Sequence, residues 1–262
     1  MKRLKVFYLF TAILLSGILF SCDKEDFGGN NNLSKGQIEM KITPDNKNKV
    51  EIIITAKKIT IDWGDGSVDE LTPGGIEKSY THEYFSQNIQ TIKINTEGLI
   101  SFGYDYKLSS SFSSLGYYPN PVMLSDRIEG EKLHELRFGN CPELKSLNCG
   151  SNELTILDLS KCTELTDLIF GINKLTSLDL SRCKELKTLT ILRSSKLVST
   201  LDLSKCTALV YINIWDQYYY NIDFNTFLNS LPTRKPEDNA IFFCRTQESS
   251  IVENKGWTVI RY

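Results

Sequence analysis

Apolar residues in the second half of the chain follow one short pattern, repeated many times. A segment carries leucine or a similar residue at its first, fourth and sixth positions and Cys or Asn three positions later, as in the run that starts at Leu133. Copies of Leu-Asp-Leu-Ser start at Leu157, Leu178 and Leu201, 21 and then 23 residues apart. A period in this range is typical of units that bury their apolar edges only by stacking on neighbours. The pattern predicts short stacked strands over residues 132–215 and leaves open which half of each unit forms the main strand.

The residue that closes each segment alternates between Cys and Asn. One position of the repeat is occupied by Cys141, Cys162, Cys183 and Cys206. We expect these thiols to form a buried column, with disulfides between stacked neighbours as the alternative. The spacing of a zinc site, such as CxxC, is missing. An inward Asn at the corresponding position of the other half can bond the backbone of the adjacent unit.

Residues 37–102 alternate polar and apolar side chains in several short runs. Gln37–Ile42 and Thr91–Ile94 alternate, whereas Val50–Thr55 is more continuously apolar, as in a strand covered on both faces. Asp62–Gly66, with the letters Asp-Trp-Gly-Asp-Gly, is typical of a tight turn that closes a strand. These runs predict a β region before the repeats.

The aspartates of this turn and a histidine further along the chain are candidates for a chemical role. Asp62 and Asp65 could bind calcium, but the chain has no DxDxDG loop with a distal Glu, so we expect an Asp that caps its own turn. His82 lies two residues before Tyr84. We expect His82 to be a hydrogen-bonding residue of the core or of a turn rather than a catalyst.

The Asp-Trp-Gly-Asp-Gly and His-x-Tyr sequences together resemble the signature of PKD-type domains, which are small immunoglobulin-like β-sandwiches that mostly act as spacers or binding modules. The repeats resemble the nested bacterial leucine-rich repeats sometimes called IRREKO, which are common in Bacteroides surface proteins. The pattern departs from that family at Arg193–Ser195, where the expected Asn is missing and two residues are added, so we expect a local bulge. The resemblance implies a mainly β fold, with an N-terminal PKD-like β-sandwich, a short leucine-rich-repeat solenoid and a small α/β C-terminal cap.

The first 21 residues have the pattern of a secretory signal peptide. Met1–Lys5 is basic and Val6–Phe20 is apolar but short for a membrane span. Leu19–Cys22 resembles a bacterial lipobox, which implies that Cys22 carries lipid and anchors the protein to a membrane; an ordinary signal peptide or a short anchor is the alternative. Asp23–Asp26 resembles the surface-export tag of Bacteroides-group lipoproteins. We therefore expect an outer-membrane lipoprotein exposed at the cell surface.

The C-terminal residues predict a small cap. The apolar spacing from Phe224 to Leu231 predicts a helix, with Asp223 as its N-cap and Pro232 as its end. Further elements are predicted in order: a strand over 240–244, a short helix over 249–255 and a last strand over 257–260.

The chain thus divides into six parts. They are a lipoprotein signal peptide (1–21), a tether (22–36), the PKD-like β-sandwich (37–102), an aromatic and Ser-rich connection or N-terminal cap (103–131), the leucine-rich repeats (132–215) and the C-terminal cap (216–262). The part at 103–131 has no visible period, so it is either a functional loop or a cover for the first repeat.

The charge balance and the motifs exclude several function classes. The full chain has a net charge of −2, and removal of residues 1–21 changes it to −5, so we expect no nucleic-acid partner. GxSxG, HExxH, P-loop and dinucleotide motifs are absent from the sequence, and its only histidines are His82 and His134, in different predicted domains. We therefore expect no enzyme activity, no cofactor and no metal site.

The repeated and the varying surfaces predict different roles. Asp158, Asp179 and Asp202 repeat beside a column of Lys and Arg, which indicates a charge-compensated scaffold; a site for a cation or a basic partner is the alternative. The other half of each unit varies, and exposed apolar or aromatic groups among polar ones mark interaction sites. The candidate ligand face there comprises Asp167, Ile169, Thr190, Leu192, Arg193, Tyr211, Asn213, Trp215 and Tyr218. For Trp215 and the tyrosines, coverage by the C-terminal cap is the alternative.

These observations predict a non-enzymatic cell-surface binding or adhesion protein that recognises a protein or glycan partner through the repeat face. One alternative is a polysaccharide-capture accessory lipoprotein, which needs an aromatic stacking surface. The other is an envelope spacer that has no ligand.

Overall fold

The computed structural model describes residues 33–103, 132–150, 152–192, 195–215, 224–244 and 250–261, without the side chains of Leu192, Ser195, Lys196 and Trp215. Over these residues the chain is mainly β, and its strands form mixed sheets. The predictions for residues 1–32 and 104–131, which include the signal peptide, the lipidation of Cys22 and most of the connection, lie outside the described residues.

Seven strands precede the repeats in the described chain. They are β1 (Gln37–Thr43), β2 (Lys49–Thr55), β3 (Lys58–Asp62), β4 (Val68–Leu71), β5 (Glu77–Glu83), β6 (Gln90–Glu97) and β7 (Ser101–Gly103). The alternation of the sequence accounts for β1, because Ile38, Met40 and Ile42 are buried while the residues between them are partly exposed.

The described part of the repeats and of the C-terminal region contributes eight strands and three short helices. The strands are β8 (Lys132–Phe138), β9 (Ser146–Asn148), β10 (Leu157–Asp158), β11 (Asp167–Gly171), β12 (Thr188–Leu192), β13 (Tyr211–Trp215), β14 (Ile241–Cys244) and β15 (Thr258–Arg261). The helices are α1 (Ser195–Val198), α2 (Asn225–Ser230) and α3 (Ser250–Asn254), and Pro236–Asp238 is a 3₁₀ turn.

The strands are arranged in a six-stranded and a nine-stranded sheet. The six-stranded sheet has the order β10-β8-β1-β6-β3-β4 and is antiparallel except for the β8–β10 pair. The nine-stranded sheet has the order β15-β14-β13-β12-β11-β9-β7-β2-β5. Its strands are parallel from β7 to β15, and β2 pairs antiparallel with both β7 and β5.

The half of each unit that varies in sequence forms the main strands. Leu147, Leu168, Leu189 and Ile212 lie in one register on β9, β11, β12 and β13, and all four are buried. Their intervals of 21, 21 and 23 residues reproduce the sequence period. Of the three Leu-Asp-Leu-Ser copies, which the structure describes in full, the one at Leu157 forms a strand, β10, which pairs with β8.

Both sheets continue from the N-terminal strands into the repeats. In one sheet β1 pairs with β8, and in the other β7 pairs with β9. At this junction Phe102 and Phe138 pack edge to face, with ring centroids 5.9 Å apart, and both are buried. The N-terminal strands therefore cover the first repeat, a role that the sequence assigned to residues 103–131 as one alternative. The predicted domain boundaries remain predictions.

Inward asparagines connect successive units, as the sequence predicts. Asn173 Oδ1 accepts a hydrogen bond from the Leu154 N–H at 2.9 Å, and its Nδ2 donates to the carbonyls of Cys149 and Gly171. The amide thus bonds backbone groups of two successive units.

The C-terminal elements agree with the prediction, with shifts of one residue at their ends. Helix α2 begins at Asn225 with Phe224 at the N-cap, so the predicted N-cap at Asp223 is wrong. Phe224 already has right-handed helical backbone angles, with φ −89° and ψ −1°, and the helix begins without a side-chain cap hydrogen bond. Helix α3 ends before Gly256, whose φ of +84° favours glycine. Of the predicted bulge at Arg193–Ser195, residues 193 and 194 lie outside the described residues, and Ser195 begins the short helix α1.

In the described part of the chain, no helix combines the length and the apolar character needed to cross a membrane.

Candidate functional site

Side chains of the parallel strands alternate between the core and the outside. In β11, Leu168 and Phe170 are buried, whereas Asp167 and Ile169 point to the opposite side and are half-buried. We call the outward surface of β9 and β11 to β14 the variable face. Its two in-register rows are Ser146, Asp167, Thr188, Tyr211 and Ile241, and Asn148, Ile169, Thr190, Asn213 and Phe243.

Asp167 provides the only charge in these two rows. The Thr166 hydroxyl donates to its Oδ2 at 2.6 Å, and the Thr188 hydroxyl of the next strand donates to its Oδ1 at 2.5 Å. A carboxylate can accept about four hydrogen bonds, so each oxygen retains acceptor capacity. The two threonines therefore fix the orientation of a carboxylate that can still accept a hydrogen bond from a ligand.

The side-chain oxygen of Asn213 has no hydrogen-bond partner among the described residues. Its side chain lies on β13 between Thr190 of β12 and Phe243 of β14, and the residue is only 7% exposed. The Oδ1 atom is out of contact with solvent and accepts no hydrogen bond from any residue that the structure describes. An unsatisfied buried acceptor costs about 1–3 kcal/mol, and such exceptions in a folded protein call for an explanation.

Two aromatic rings flank this amide. Tyr211 precedes Asn213 by two residues on the same strand, and Phe243 is its register partner on the next strand. The two ring centroids are 5.4 Å apart and the rings are inclined at 48°. Both rings are half-buried, so they combine apolar area with access from outside.

The sequence expectation that the whole candidate ligand face is open to solvent is wrong for two of its members. Thr190 and Asn213 are only 8% and 7% exposed. The physical reason is their position on inner strands, because neighbouring strands ~4.8 Å away on both sides cover a small side chain. Asp167, Ile169 and Tyr211 are half-buried.

The remaining predicted site residues are only partly described. The backbones of Leu192 and Trp215 are register partners at the ends of β12 and β13. Arg193, Tyr218 and the lipidation residue Cys22 lie outside the described residues. The structure adds Phe243 to the face. The alternation of polar and apolar positions in the predicted strand at 240–244 indicates that Phe243 points outward. It does not indicate that this strand pairs with the strands of the repeats.

The repeated aspartates on the other half of the units serve the fold of their own turns. Oδ1 of Asp158, Asp179 and Asp202 accepts the N–H of the residue two positions later, at 2.9, 2.8 and 2.8 Å. These hydrogen bonds hold the pKa of Asp179 and Asp202 below the ordinary value, with Arg182 and Lys205 contributing less. Charge compensation by the neighbouring column is thus secondary to turn formation.

The Asp-Trp-Gly-Asp-Gly turn is held by a cluster of polar and aromatic groups. Asp65 Oδ1 accepts from the Ser67 hydroxyl at 2.6 Å, and its Oδ2 lies 2.7 Å from His82 Nε2. These two hydrogen bonds hold the pKa of Asp65 well below the ordinary value. The His82 ring stacks on Trp63 with centroids 4.8 Å apart.

This arrangement confirms that Asp65 caps its own turn and that His82 is a hydrogen-bonding residue of the turn. The serine donates to the aspartate rather than to the histidine, which lies 3.4 Å from Ser67 Oγ. A general base needs the reverse order, with the nucleophile bonded to histidine. Among the described residues, no group of three or more His, Cys, Asp or Glu side chains could hold a metal ion.

The repeat cysteines form a buried set of thiols. All four, together with Cys149 and Cys244, are buried and form no disulfide. Burial raises the pKa of Cys183 to about 11 and that of Cys149 to about 12. The prediction of a buried column without disulfides is confirmed, and these thiols act as small apolar residues of the core.

The chain was compared with known proteins in three ways. No family model matches it, and no curated protein matches it. Among solved structures, it is similar to the functional domain of InlJ from Listeria monocytogenes, which is described as including a cysteine ladder. The identity is 26%, the match covers 40% of this chain and 27% of that chain, and the TM-score is 0.26. A superposition with so low a TM-score supports no inference about fold or function.

Proposed function

We propose that this chain is a non-enzymatic binding protein of the cell surface, which recognises a protein or glycan partner through the variable face. The observation that carries the proposal is the contrast between the two sides of the repeats. The repeated aspartates are used by their own turns. The variable face instead combines the oriented carboxylate of Asp167, the unpartnered amide oxygen of Asn213 and an aromatic pair. Polar and aromatic groups that converge on one surface are typical of binding sites.

The proposal includes the finer architecture that the sequence implies. Residues 37–102 are a PKD-like sandwich, residues 132–215 are a solenoid of nested leucine-rich repeats, and residues 216–262 cap its end. Support comes from the turn at Asp62–Gly66 and from the parallel, in-register strands that recur every 21 to 23 residues. In such a solenoid the regular positions form the scaffold, and the varying outward positions are available for a ligand.

The proposed location rests on the N-terminal sequence. The lipobox-like Leu19–Cys22 favours a lipid on Cys22, and Asp23–Asp26 favours export to the outer surface. Metabolic labelling with an alkyne fatty acid should tag the protein but not its Cys22→Ser variant. Protease added to intact cells should degrade the wild-type protein; labelled protein that resists the protease contradicts surface exposure.

The absence of enzyme activity is part of the proposal, and the two histidines support it. His82 Nε2 is engaged by Asp65 at 2.7 Å. His134 lies 2.8 Å from the Thr43 hydroxyl through Nε2 and 3.5 Å from Glu153 through Nδ1. Neither histidine has a serine or cysteine nucleophile as its principal partner among the described residues.

The experiment that tests the proposal is a binding screen with two matched triple variants. The face variant carries Asp167→Asn, Ile169→Ser and Tyr211→Ser, and the control variant carries Lys161→Ala, Arg182→Ala and Lys205→Ala on the repeated side. Wild type and both variants are tested on immobilised fibronectin, collagen and polysaccharides, with circular dichroism as the check of folding. We expect binding to be lost in the face variant alone. Equal binding by a folded face variant would falsify the proposal and favour the spacer alternative.

A further inference from the structure

We propose that the variable face binds a neutral saccharide, whose hydroxyl group donates a hydrogen bond to Asn213 Oδ1 and whose ring packs against Tyr211 and Phe243. This inference rests on the proposed function, because it assigns a ligand class to the same surface. It depends on one observation: the unpartnered acceptor of Asn213 lies near the two half-buried aromatic rings of Tyr211 and Phe243.

The acceptor on Asn213 needs a donor that the described chain does not provide. The register partner of Asn213 on β12 is Thr190, and Asn213 Oδ1 accepts no hydrogen bond from its hydroxyl or from any other described group. The register partner on the other side of Asn213 is Phe243, whose side chain has no donor. Because no hydrogen bond holds Oδ1, the amide can rotate toward a ligand without losing one. A ligand hydroxyl that reaches it forms a hydrogen bond where the free protein has none.

The two aromatic rings favour a sugar as the carrier of that hydroxyl. Tyr211 and Phe243 lie 5.4 Å apart and are inclined at 48°, so they form a shallow corner rather than a flat platform. The apolar C–H face of one sugar ring can pack against such a corner while its hydroxyl groups point to the polar neighbours. The geometry therefore fits a single sugar ring at this position.

The charge of the face favours a neutral ligand. In its two rows only Asp167 is charged, and lysine and arginine are absent from those positions. In these two rows an anionic polysaccharide would meet a like charge and no lysine or arginine. The fixed carboxylate retains acceptor capacity for a second hydroxyl group. Asp167 lies on β11 and Asn213 on β13, two strand spacings away and two residues further along the strand direction, or ~12 Å, so a second sugar unit is needed to reach both.

The composition of the face argues against a protein partner. Protein interfaces are enriched in large aromatic residues, methionine and arginine at their centres. Most polar members of the two rows are small, namely Ser146, Asn148, Thr188, Thr190 and Asn213. Small hydrogen-bonding side chains beside one aromatic corner match closely spaced hydroxyl groups better than they match a large side chain.

The test combines binding and stability measurements on the full chain. The probes are dextran, mannan and xyloglucan as neutral polysaccharides, polygalacturonate as an anionic one, and fibronectin and collagen as proteins, in affinity electrophoresis or on coated plates. The variant is Asn213→Ala, and the control is Asn95→Ala on β6, whose amide accepts from Gln37 at 2.9 Å outside the variable face. A second variant, Phe243→Leu, removes the aromatic ring but keeps an apolar side chain at that position, so it tests ring stacking apart from apolar packing.

We expect at least one neutral polysaccharide to bind. Asn213→Ala should weaken its binding about tenfold, with unchanged or increased thermal stability, because the amide oxygen has no hydrogen bond to lose. Phe243→Leu should weaken binding at least as much, and Asn95→Ala should leave it unchanged.

Three results would overturn the inference. In the first, only polygalacturonate or only the proteins bind, and the face substitutions weaken that binding. This result contradicts a neutral saccharide ligand but agrees with the proposed function. A marked loss of stability in Asn213→Ala contradicts the premise of an unpartnered acceptor. Finding no probe whose binding depends on the variable face overturns both this inference and the proposed function.

Discussion

Asn152 Oδ1 accepts a hydrogen bond from the backbone N–H of Leu133, 3.1 Å away and one unit earlier in the stack. The same amide donates through Nδ2 to the carbonyls of Cys149 and Gly150, at 3.3 and 2.8 Å. One side chain, itself 7% exposed, thus bonds three backbone groups, one on β8 and two at the bend that follows β9.

Replacing this asparagine should be costly. Asn152→Ala removes the side-chain partner of the Leu133 N–H and of the Gly150 carbonyl, whereas the Cys149 carbonyl keeps its hydrogen bond from Asn173 Nδ2. The substitution should lower the free energy of unfolding by roughly 2–4 kcal/mol. Urea denaturation followed by circular dichroism measures the change. Asn95→Ala, whose amide accepts from Gln37 at an exposed site, serves as the control and should cost less than about 1 kcal/mol. A similar loss in both variants would show that the connection between units is not the cause.

The buried thiols should be inert in the folded protein. Burial raises the pKa of Cys141 to about 11 and that of Cys206 to about 12, so little thiolate is present near neutral pH. In a Cys22→Ser variant, the described cysteines should react with iodoacetamide at least ~100-fold more slowly than in denaturant. Intact-mass spectrometry over time measures the labelling. Rapid labelling of the native protein at any repeat cysteine contradicts this assignment.

The turn at Asp65 should make the fold sensitive to acid. Hydrogen bonds from Ser67 and His82 hold the pKa of this carboxyl below its ordinary value. For a group whose pKa is lowered in the folded state, the stabilisation is present above the unfolded-state pKa, about 4, and is lost as the pH falls below it. Asp65→Asn should therefore remove part of the loss of stability between pH 4 and 2.

The measurement for that prediction is urea denaturation at a series of pH values. Asp65→Asn should also cost roughly 1 kcal/mol at neutral pH, because it weakens the hydrogen bonds to Ser67 and His82. Glu70→Gln, at an exposed position of β4, is the control. If Asp65→Asn and the wild-type protein lose stability in parallel below pH 4, the carboxyl does not contribute to acid sensitivity.

The junction between the N-terminal strands and the repeats should hold both together. Phe102→Ala removes a buried ring that packs on Phe138 and should cost ~3–5 kcal/mol. Because both sheets cross this junction, we expect one calorimetric transition in the wild type and one, at lower temperature, in the variant. Two separate transitions would show that the N-terminal strands and the repeats unfold as independent units.

The repeat was predictable because its signal is periodic. The spacing alone placed Leu168 and Leu189 in the core and Asn173 at an inward bend, and the structure confirms these positions. The turn-capping role of Asp179 was also predictable, since Asp two residues before Ser is a common turn sequence.

Contacts between segments that are distant in the sequence have no periodic pattern that would predict them. Ile38 of β1 pairs with Phe138 of β8, 100 residues later, and nothing in either strand specifies the other. For the same reason Phe243 could be predicted to lie on a strand but not to extend the variable face. The burial of Thr190 and Asn213 depends on strands on both sides, which a single segment does not reveal.

The in-register stacking of β11, β12 and β13 makes the protein adjustable in length. Inserting or deleting one complete unit between these strands would leave the N-terminal junction and the C-terminal elements with the same kinds of neighbours. Each unit would widen the outward surface by ~4.8 Å and add its own outward side chains. Ligand size could then change by duplication of a unit of about 21 residues, without a new core having to be built.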